Sequence, residues 1–428
     1  MSRDSSLTRS ARAHDTPTGC PHLAALSARV DHILPAFPPE RENPLNPPPV
    51  YAELRSSAAL GKARLWDGKE AWLITRYDDV RAVLGDPRFS SDIRLSGYPT
   101  VSAAMKVARG NNRTFITMDP PEHTAQRRML MGEFSIRRVE AFRPRVQQIV
   151  DRSIDRMLSS PQPVDLVQAL TLATPAAAIC DLLGVPYEDH DFFQSQALIL
   201  TSSSATLQQA QQANEELCEK YLRQLVRLKT EKPQDDILSR LVVNYVNTGE
   251  LTETQVVSLA RLLLIAGHET TANTTSMGVL LLLQRRDVWE ELRQDRALIP
   301  KAIEEILRFL DVTHSGKRRV ALEDITIAGQ LIRAGDPVVV LSVAANRDEA
   351  AFPEAEKFDI HREARHQVSF GYGIHQCIGQ PLARMEMQVM LESLLERLPN
   401  MRLAVPFDEL EFKSDSLMYG LKALPVAW

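Results

Sequence analysis

The chain has 428 residues, of which 44% are hydrophobic and 25% are charged, and its formal net charge is -5. A chain with this length and composition buries a large core and is not globally disordered. The slight acidic excess argues against a protein whose main work is to hold nucleic acid, because such proteins usually carry a basic domain. The four cysteines lie far apart and form no Cys-x-x-Cys pair, so neither a disulfide framework nor a structural zinc site is expected.

The N-terminal run MSRDSSLTRSARAHD is polar and has no apolar core, so it does not resemble a signal peptide or a membrane anchor. The most apolar runs, LLLIAG and GVLLLLQ, are separated by HETTANTTS, and each is too short to span a bilayer. We therefore expect a cytoplasmic protein that does not contact a membrane. Residues 1–20 are expected to form a mobile tail, and residues 21–428 a single domain, because nothing after residue 50 resembles a linker.

The predicted elements are mostly helices. The strand-like runs KARLW and AWLIT, joined by DGKE, indicate a hairpin, and YDDVRAVLG indicates a helix that ends at Gly85. The run DPPEHTAQRRMLMGEF is expected to begin a helix that Asp119 caps, with prolines in the first turn. Helical periodicity continues through residues 137–158, 166–183 and 206–230.

The longest predicted helix runs from Thr252 to Gln284 and opens with Thr252 and Gln255 at the spacing of a capping box. It is apolar on most faces, so we expect it to cross the middle of the molecule. Two more helices, PKAIEEILRFL and QPLARMEMQVMLESLLERL, follow, with the short strand-like runs DITIAG, QLIRAG and PVVVLSV between them. The predicted fold class is mainly α with small β-sheets (α+β), in a single large helical domain.

The strongest chemical signal is the run Phe370-Gly-Tyr-Gly-Ile-His-Gln-Cys-Ile-Gly379, in which three glycines surround Cys377. Glycine permits tight turns and a close approach of the backbone to a flat cofactor. Pro381 lies in the first turn of the following helix, so Cys377 precedes the positive end of that helix, where a thiolate is favoured. Such a thiolate is a good ligand for haem iron. The alternative is that Cys377 is a small buried hydrophobic residue.

The pattern F-x-x-G-x-H-x-C-x-G resembles the haem-binding loop of the cytochromes P450. Two further runs agree with this resemblance. Ala266-Gly-His-Glu-Thr-Thr271, in the middle of the long helix, is similar to the A-G-x-E-T motif of the family, and Glu305-Ile-Leu-Arg308 is similar to its E-x-x-R helix. The resemblance covers nearly the whole chain after residue 45 and is closest to soluble bacterial P450s of the actinomycete kind. It implies the cytochrome P450 fold around a buried haem.

The resemblance also implies roles for individual residues. Cys377 would be the axial ligand of haem b, and Thr270 with Glu269 would be the alcohol and acid that deliver protons. Ala266 and Thr270 are four apart and share a helix face, so a small side chain and a hydroxyl would lie beside the cofactor; the alternative is a polar stripe between packed helices. The remaining residues implied to contact the cofactor are Gly267, Phe370, Gly371, His375 and Gly379.

Haem carries two propionates, which require cations. His123 and Arg127 are four apart on one helix face and are able to bind one carboxylate together. The family uses these two positions, together with Arg319 and His375, for the propionates; Arg318 is the alternative to Arg319. The resemblance further implies a basic third partner for Glu305 and Arg308, in a segment where Lys357 occupies a position at which the family often has arginine.

The resemblance implies a haem-thiolate monooxygenase that inserts one atom of dioxygen into a small organic, largely apolar substrate. The chain has no recognisable flavin or iron–sulfur motif, so the electrons would come from a ferredoxin and an NAD(P)H-dependent ferredoxin reductase. Two alternatives remain open. The runs KARLWDGKEAWLITRYDDV and FITMDPPEH also resemble a fungal P450 that reduces nitric oxide with NAD(P)H, although that relative lacks an acid at the position of Glu269. A haem-binding sensor or carrier without turnover is the other alternative.

Overall fold

Helices form most of the computed structural model, which describes residues 35–57, 60–100, 102 and 113–428. The predicted tail, residues 1–20, and the predicted domain boundary at residue 21 lie outside these ranges. The α-helices are α1 (Val50–Ser56), α2 (Tyr77–Gly85), α3 (Glu122–Met131), α4 (Ile136–Ser159), α5 (Ala173–Leu183), α6 (His190–Thr201), α7 (Leu207–Asn214), α8 (Arg223–Glu231), α9 (Ile237–Leu241), α10 (Glu253–Gln284), α11 (Arg286–Gln294), α12 (Ile299–Leu310), α13 (Ser342–Ala345) and α14 (Gln380–Arg397).

The strands form three small sheets. They are β1 (Gly61–Arg64), β2 (Glu70–Ile74), β3 (Phe89–Ser90), β4 (Val164–Asp165), β5 (Lys317–Ala321), β6 (Ile325–Ile327), β7 (Gln330–Ile332), β8 (Pro337–Val340), β9 (Arg402–Leu403) and β10 (Pro425–Ala427). The largest sheet has the order β1-β2-β8-β5-β3, with β2 and β8 parallel and the other neighbours antiparallel. The predicted hairpin is the β1–β2 pair, and the predicted mainly helical class with small sheets is confirmed.

Helix α10 is the longest of the described helices and runs through the core. Its capping box is present, because the Gln255 amide donates to Thr252 Oγ1 at 3.2 Å and the Thr252 amide donates to Gln255 Oε1 at 2.8 Å. The helix packs against α5, α12 and α14. A Cβ on Gly278 would lie 2.9 Å from Ile306, so α10 and α12 approach closely at this point. None of the described helices is long and apolar enough to cross a membrane.

The start of helix α3 differs from the prediction that Asp119 caps it. The helix begins at Glu122, and no side chain caps its N-terminus. The Asp119 carboxylate instead accepts hydrogen bonds from the Ser91 amide, at 2.9 Å, and from the Ser90 hydroxyl. Only the Asp119 carbonyl serves the helix, as the acceptor for the His123 amide at 3.0 Å. The carboxylate that was predicted to cap α3 therefore binds residues at the end of β3 instead.

Helix α12 carries a fully buried ion pair. Arg308 Nε and Nη2 each donate to a Glu305 carboxylate oxygen at 2.7 Å, and both side chains are 0% exposed. Arg308 Nη1 donates to the carbonyl oxygens of Asn346, at 2.7 Å, and Ala355, at 2.8 Å. The pair therefore ties α12 to the segment that leads toward Cys377.

The third basic partner of this pair is Arg362 rather than Lys357. Arg362 Nε lies 3.3 Å from a Glu305 carboxylate oxygen. Lys357 contributes only its carbonyl oxygen, which accepts from Arg308 Nη2 at 3.1 Å, while its exposed ammonium pairs with Glu354. The fold places the longer, planar guanidinium of Arg362 at the buried carboxylate, where it also bonds backbone carbonyls.

We expect Glu305→Ala to lower the free energy of unfolding by about 3–5 kcal/mol, because it leaves Arg308 buried without its counter-charge. Glu290→Ala is the matched control: Glu290 has the same i,i+3 spacing to Arg293, at 2.7 Å, but on the surface. Its cost should stay within about 1 kcal/mol. Urea unfolding followed by circular dichroism measures both, and equal costs would contradict the structural role of the buried pair.

Candidate functional site

The loop that carries Cys377 is a tight turn before α14. The Cys377 amide donates to the Phe370 carbonyl at 2.8 Å, and the Gln376 amide donates to the Gly373 carbonyl at 3.0 Å. Gly373 has a φ of +72°, a conformation that favours glycine. A Cβ there would also lie 2.6 Å from the carbonyl oxygen of Leu84 in α2. Glycine at 373 thus lets the loop pack directly against α2.

The Cys377 side chain precedes α14 and faces an internal cavity, and this cavity accounts for its accessible surface. Burial raises the pKa of the Cys377 thiol, whereas a hydrogen bond from the Gly379 amide and the positive charge of Arg127 act in the opposite direction. A metal cation on the sulfur would take the place of the proton, because a coordinated thiol is deprotonated. Burial alone therefore favours the protonated thiol, and a bound metal cation would stabilise the thiolate in its place.

Helix α10 forms the opposite wall of the cavity with Ala266, Gly267 and Thr270. Ala266 is exposed and its two neighbours on this wall are partly exposed, although the next three turns of α10 are buried. The Thr270 hydroxyl donates to the Ala266 carbonyl oxygen at 2.8 Å. Because the side chains on this face are small, they do not fill the space between α10 and the Cys377 loop, and the cavity stays open.

The cavity has a volume of about 360 Å³. Phe370 and Cys377 line one side and Ala266 and Thr270 the other. Most of the remaining wall is apolar, with a few polar side chains, as is usual for sites that bind small molecules. The apolar part includes Phe115, Phe134, Ile179, Leu263, Leu307 and Val312, and the polar part includes Thr274, Asp311 and Lys317.

A basic cluster, composed of His123, Arg127, Arg319 and His375, lies beside the cavity. The rings of His123 and His375 are 4.4 Å apart, and Arg127 Nη2 donates to the Gln376 carbonyl at 2.6 Å. Arg319 is 6% exposed. Burial, followed by the charges of Arg319, His123 and Arg127, lowers the pKa of His375 to about 3. Burial and the same two arginines also lower the pKa of His123.

The structure places Arg319, rather than Arg318, in the basic cluster. The charge of Arg319 acts on both imidazoles, whereas that of Arg318 is not among the causes of their pKa shifts. The two are consecutive residues of β5, so their side chains leave opposite faces of the strand. From the sequence alone, either arginine was a candidate for binding a propionate.

Buried nitrogen atoms in the basic cluster lack partners. The Ile374 carbonyl lies near His123, but within the described part of the chain neither ring nitrogen of His123 makes a hydrogen bond of normal geometry, and Nδ1 of His375 has no partner. Buried polar groups without partners are rare in proteins, and a concentration of them beside cationic groups suits an anion. With a thiol on one wall, small residues on the other and this cluster beside both, the residues fit a haem with its two carboxylates.

Glu269 lies outside the cavity wall, as expected from its position next to Thr270 in the helix. Its carboxylate is buried and contacts two other elements. Thr201, at the end of α6, donates to Glu269 Oε2 at 3.3 Å, and Lys413 Nζ lies 3.6 Å from Oε1. The predicted acid and the predicted alcohol are therefore adjacent in sequence but are not hydrogen-bonded to each other.

Sequence reasoning missed some residues of the site. Lys317 lines the cavity, donates to Ser342 Oγ at 2.5 Å, and has its pKa lowered by burial. The one feature of the sequence that pointed to Lys317 was its position two residues before Arg319. Lys413 had no signal at all, because it reaches Glu269 from a distant part of the chain. His314, two residues after Val312 of the cavity wall, is buried, and its Nε2 lies 2.6 Å from the Ser416 carbonyl oxygen.

Comparisons with known proteins agree with this geometry. The family model described as "Cytochrome P450" matches residues 190–400. The chain is 47% identical to Cytochrome P450-SU2 of Streptomyces griseolus, over 90% of this chain and 94% of that protein. It is 44% identical to pentalenic acid synthase of Streptomyces avermitilis, over 92% of this chain and 97% of that protein.

A similar solved structure is the crystal structure of mycinamicin VIII C21 methyl hydroxylase from Micromonospora griseorubida bound to mycinamicin VIII. It superposes with a TM-score of 0.88 at 42% sequence identity, covering 92% of this chain and 100% of that chain. Identities of this size over nearly the full length show the family and, with it, the dependence on haem. The chain belongs to the cytochrome P450 family and is a monooxygenase that acts on small organic molecules with dioxygen.

Proposed function

We propose that Cys377 is the axial thiolate ligand of a haem b in the cavity. The single observation that carries this proposal is that Cys377 lines the same cavity as Ala266 and Thr270. Cys180 and Cys218 are buried elsewhere in the core. Phe370, Gly371 and Gly379 would then hold the cysteine side of the haem, and Gly267 with Ala266 would border the other side.

The basic cluster would hold the two haem propionates. The unpartnered ring nitrogens of His123 and His375 and the guanidinium groups of Arg127 and Arg319 supply donors that the described protein atoms leave unused or only partly used. Guanidinium groups suit carboxylates because their planar donors match both oxygens. The propionates would add to the negative charge of Asp119, which acts on both His123 and Arg319.

Thiolate-ligated haem supplies the binding and reductive activation of dioxygen. The residues of α10 would serve this chemistry with protons. Thr270 would pass a proton from its hydroxyl into the cavity, and Glu269 would restore it after taking up a proton from water. Support comes from the order of the groups: Thr270 lines the cavity, and Glu269 stands behind it with a carboxylate already in a polar setting.

The substrate would be a small organic molecule with a largely apolar surface. The wall opposite Cys377 is lined mainly by Phe115, Ile179 and Leu263, so burial of apolar area would provide most of the binding free energy. Lys317 and Asp311 would add a few polar contacts. The solved relative noted above is a methyl hydroxylase bound to mycinamicin VIII, which shows that a member of the family with this fold binds an organic substrate.

Electrons would come from a ferredoxin and an NAD(P)H-dependent ferredoxin reductase in the cytoplasm. The Cys377 loop has an exposed side, where Tyr372 is 37% and Ile374 is 49% exposed, and Arg81 stacks on the Tyr372 ring at 4.6 Å. An apolar and basic surface this close to the ligand suits an acidic electron donor. Arg384 also follows the Cys377 loop, but its guanidinium pairs with Glu304 at 2.5 Å. Nitric oxide reduction is not favoured, since the named relatives include hydroxylases and Glu269 is present.

A carbon monoxide difference spectrum of the reduced protein tests the ligand. We expect the red-shifted Soret band of thiolate-ligated haem, and we expect Cys377→Ser to abolish it. Cys218→Ser is the control, because Cys218 is buried in the core far along the chain from the loop. A band that survives in Cys377→Ser would refute the ligand assignment.

Thr270→Val tests proton delivery in dioxygen reduction driven by NADPH, a ferredoxin and its reductase. Without the hydroxyl, NADPH oxidation should slow by about tenfold or more, with more hydrogen peroxide formed per NADPH. Thr275→Val is the control: its hydroxyl makes the same type of bond, to the Thr271 carbonyl at 2.8 Å, but it does not line the cavity. Similar behaviour of the two variants would count against a role of Thr270.

Arg319→Leu tests the propionate assignment. Loss of a charge-assisted hydrogen bond should weaken haem binding by about tenfold or more. Arg318→Leu should bind haem as the wild type does. Haem transfer to apomyoglobin, followed by absorbance, measures the difference, and a stronger effect of Arg318→Leu would reverse the assignment.

A further inference from the structure

The carboxylate of Glu269 lies where three parts of the chain meet. Helix α10 contributes Glu269, the end of α6 contributes Thr201, and the segment 413–420 contributes Lys413. Glu269 Oε2 accepts from the Thr201 hydroxyl at 3.3 Å, and Oε1 has no hydrogen bond but lies 3.6 Å from Lys413 Nζ. The side chains of Glu269 and Lys413 are 4% and 15% exposed, so solvent screens this pair only weakly.

Lys413 is held at this place by its own contacts. Its ammonium donates to Asn273 Oδ1 at 3.1 Å, and Asn273 Nδ2 donates to the Met418 carbonyl at 3.1 Å. The Lys413 amide donates to the Gly420 carbonyl at 2.8 Å. A Cβ on Gly420 would lie 2.4 Å from the Asn273 side chain, so the segment is packed directly on α10. The position of the ammonium is thus set by the fold rather than by a flexible side chain alone.

The same segment also binds the end of α6. The Leu417 amide donates to the Thr201 carbonyl at 2.8 Å, and the Ser203 amide donates to the Asp415 carbonyl at 2.6 Å. The two groups that contact the Glu269 carboxylate are therefore linked to each other through the backbone. A displacement of either would change the surroundings of Glu269.

A buried carboxylate is costly unless a cation or several donors compensate it. Among the described residues, Lys413 is the cation that lies within ion-pair distance of Glu269. The neighbouring His268 is fully buried, and burial lowers its pKa, so it does not supply a positive charge. The Thr270 hydroxyl meanwhile donates to the Ala266 carbonyl. In this arrangement the acid is held by Lys413 and Thr201 and is not hydrogen-bonded to Thr270.

We propose that Lys413 is a positioning residue that holds the Glu269 carboxylate in place at this junction and thereby sets the rate at which Glu269 passes protons to Thr270. The inference rests on the proposed proton pathway. In each transfer the Glu269 carboxyl gives its proton to the Thr270 oxygen as Thr270 releases its own into the cavity, and water returns a proton to Glu269. Lys413 acts only through Glu269 and does not touch the cavity.

The test is dioxygen reduction by the holoenzyme without organic substrate, driven by NADPH, a ferredoxin and its reductase, in H2O and in D2O. Lys413→Met should slow NADPH oxidation by about tenfold and enlarge the solvent isotope effect. Lys413→Arg keeps the cation and should remain within about twofold of the wild type. Lys422→Met is the matched control on the same C-terminal segment, because Lys422 pairs with Glu411 at 2.9 Å on the surface.

The double variant decides whether Lys413 acts through Glu269. In a Glu269→Gln background, Lys413→Met should have no further effect on the rate or on the isotope effect. The carbon monoxide spectrum confirms that each variant retains its haem site. Two results would overturn the inference alone: a Lys413→Met variant that behaves as Lys422→Met does, or one whose effect adds fully to that of Glu269→Gln. A Glu269→Gln variant with wild-type rate and isotope effect would instead overturn the proposed proton role of Glu269, and this inference with it.

Discussion

The structure depends on keeping a cavity open between the Cys377 loop and helix α10. Two features hold the walls apart. Gly373 lets the loop rest on the backbone of α2, where a Cβ would collide with the Leu84 carbonyl. On the facing helix, Ala266 and Thr270 present little volume to the cavity. The packing of α10 against α5, α12 and α14 then prevents the collapse that an empty apolar space would otherwise favour.

Two groups of buried charges differ in how far they are compensated, and this difference supports the proposed haem site. The Glu305–Arg308 pair is fully compensated, since Arg362 and several backbone carbonyls complete its hydrogen bonds. The basic cluster, by contrast, has buried nitrogen atoms without partners. A protein tolerates such a deficit where a ligand of opposite charge completes it. The first group therefore stabilises the frame, and the second marks where the carboxylates of haem would bind.

Glu269 belongs to neither group. Its carboxylate is buried with one cation at 3.6 Å and one hydroxyl at 3.3 Å, which is less than complete compensation. Glu305, by comparison, accepts from Arg308 through both carboxylate oxygens and also pairs with Arg362. The chain thus contains two buried glutamates in different settings: one is fixed within the frame, and we propose that the other transfers protons. Distant segments, rather than local helix sequence, create this difference.

The sequence by itself determined the helical class, the capping box of α10, the cysteine loop and the adjacent pair Glu269 and Thr270, because each depends on neighbours within a few residues. Local patterns were insufficient elsewhere. They assigned Asp119 to a helix cap, drew attention to Lys357 and left Arg318 and Arg319 undecided. Tertiary structure gave the Asp119 and Lys357 side chains other partners, placed Arg319 in the basic cluster, and brought Lys413 to Glu269. The physical reason is that a buried charge binds whichever partner the fold delivers in three dimensions, and the spacing of residues along the chain does not contain that distance.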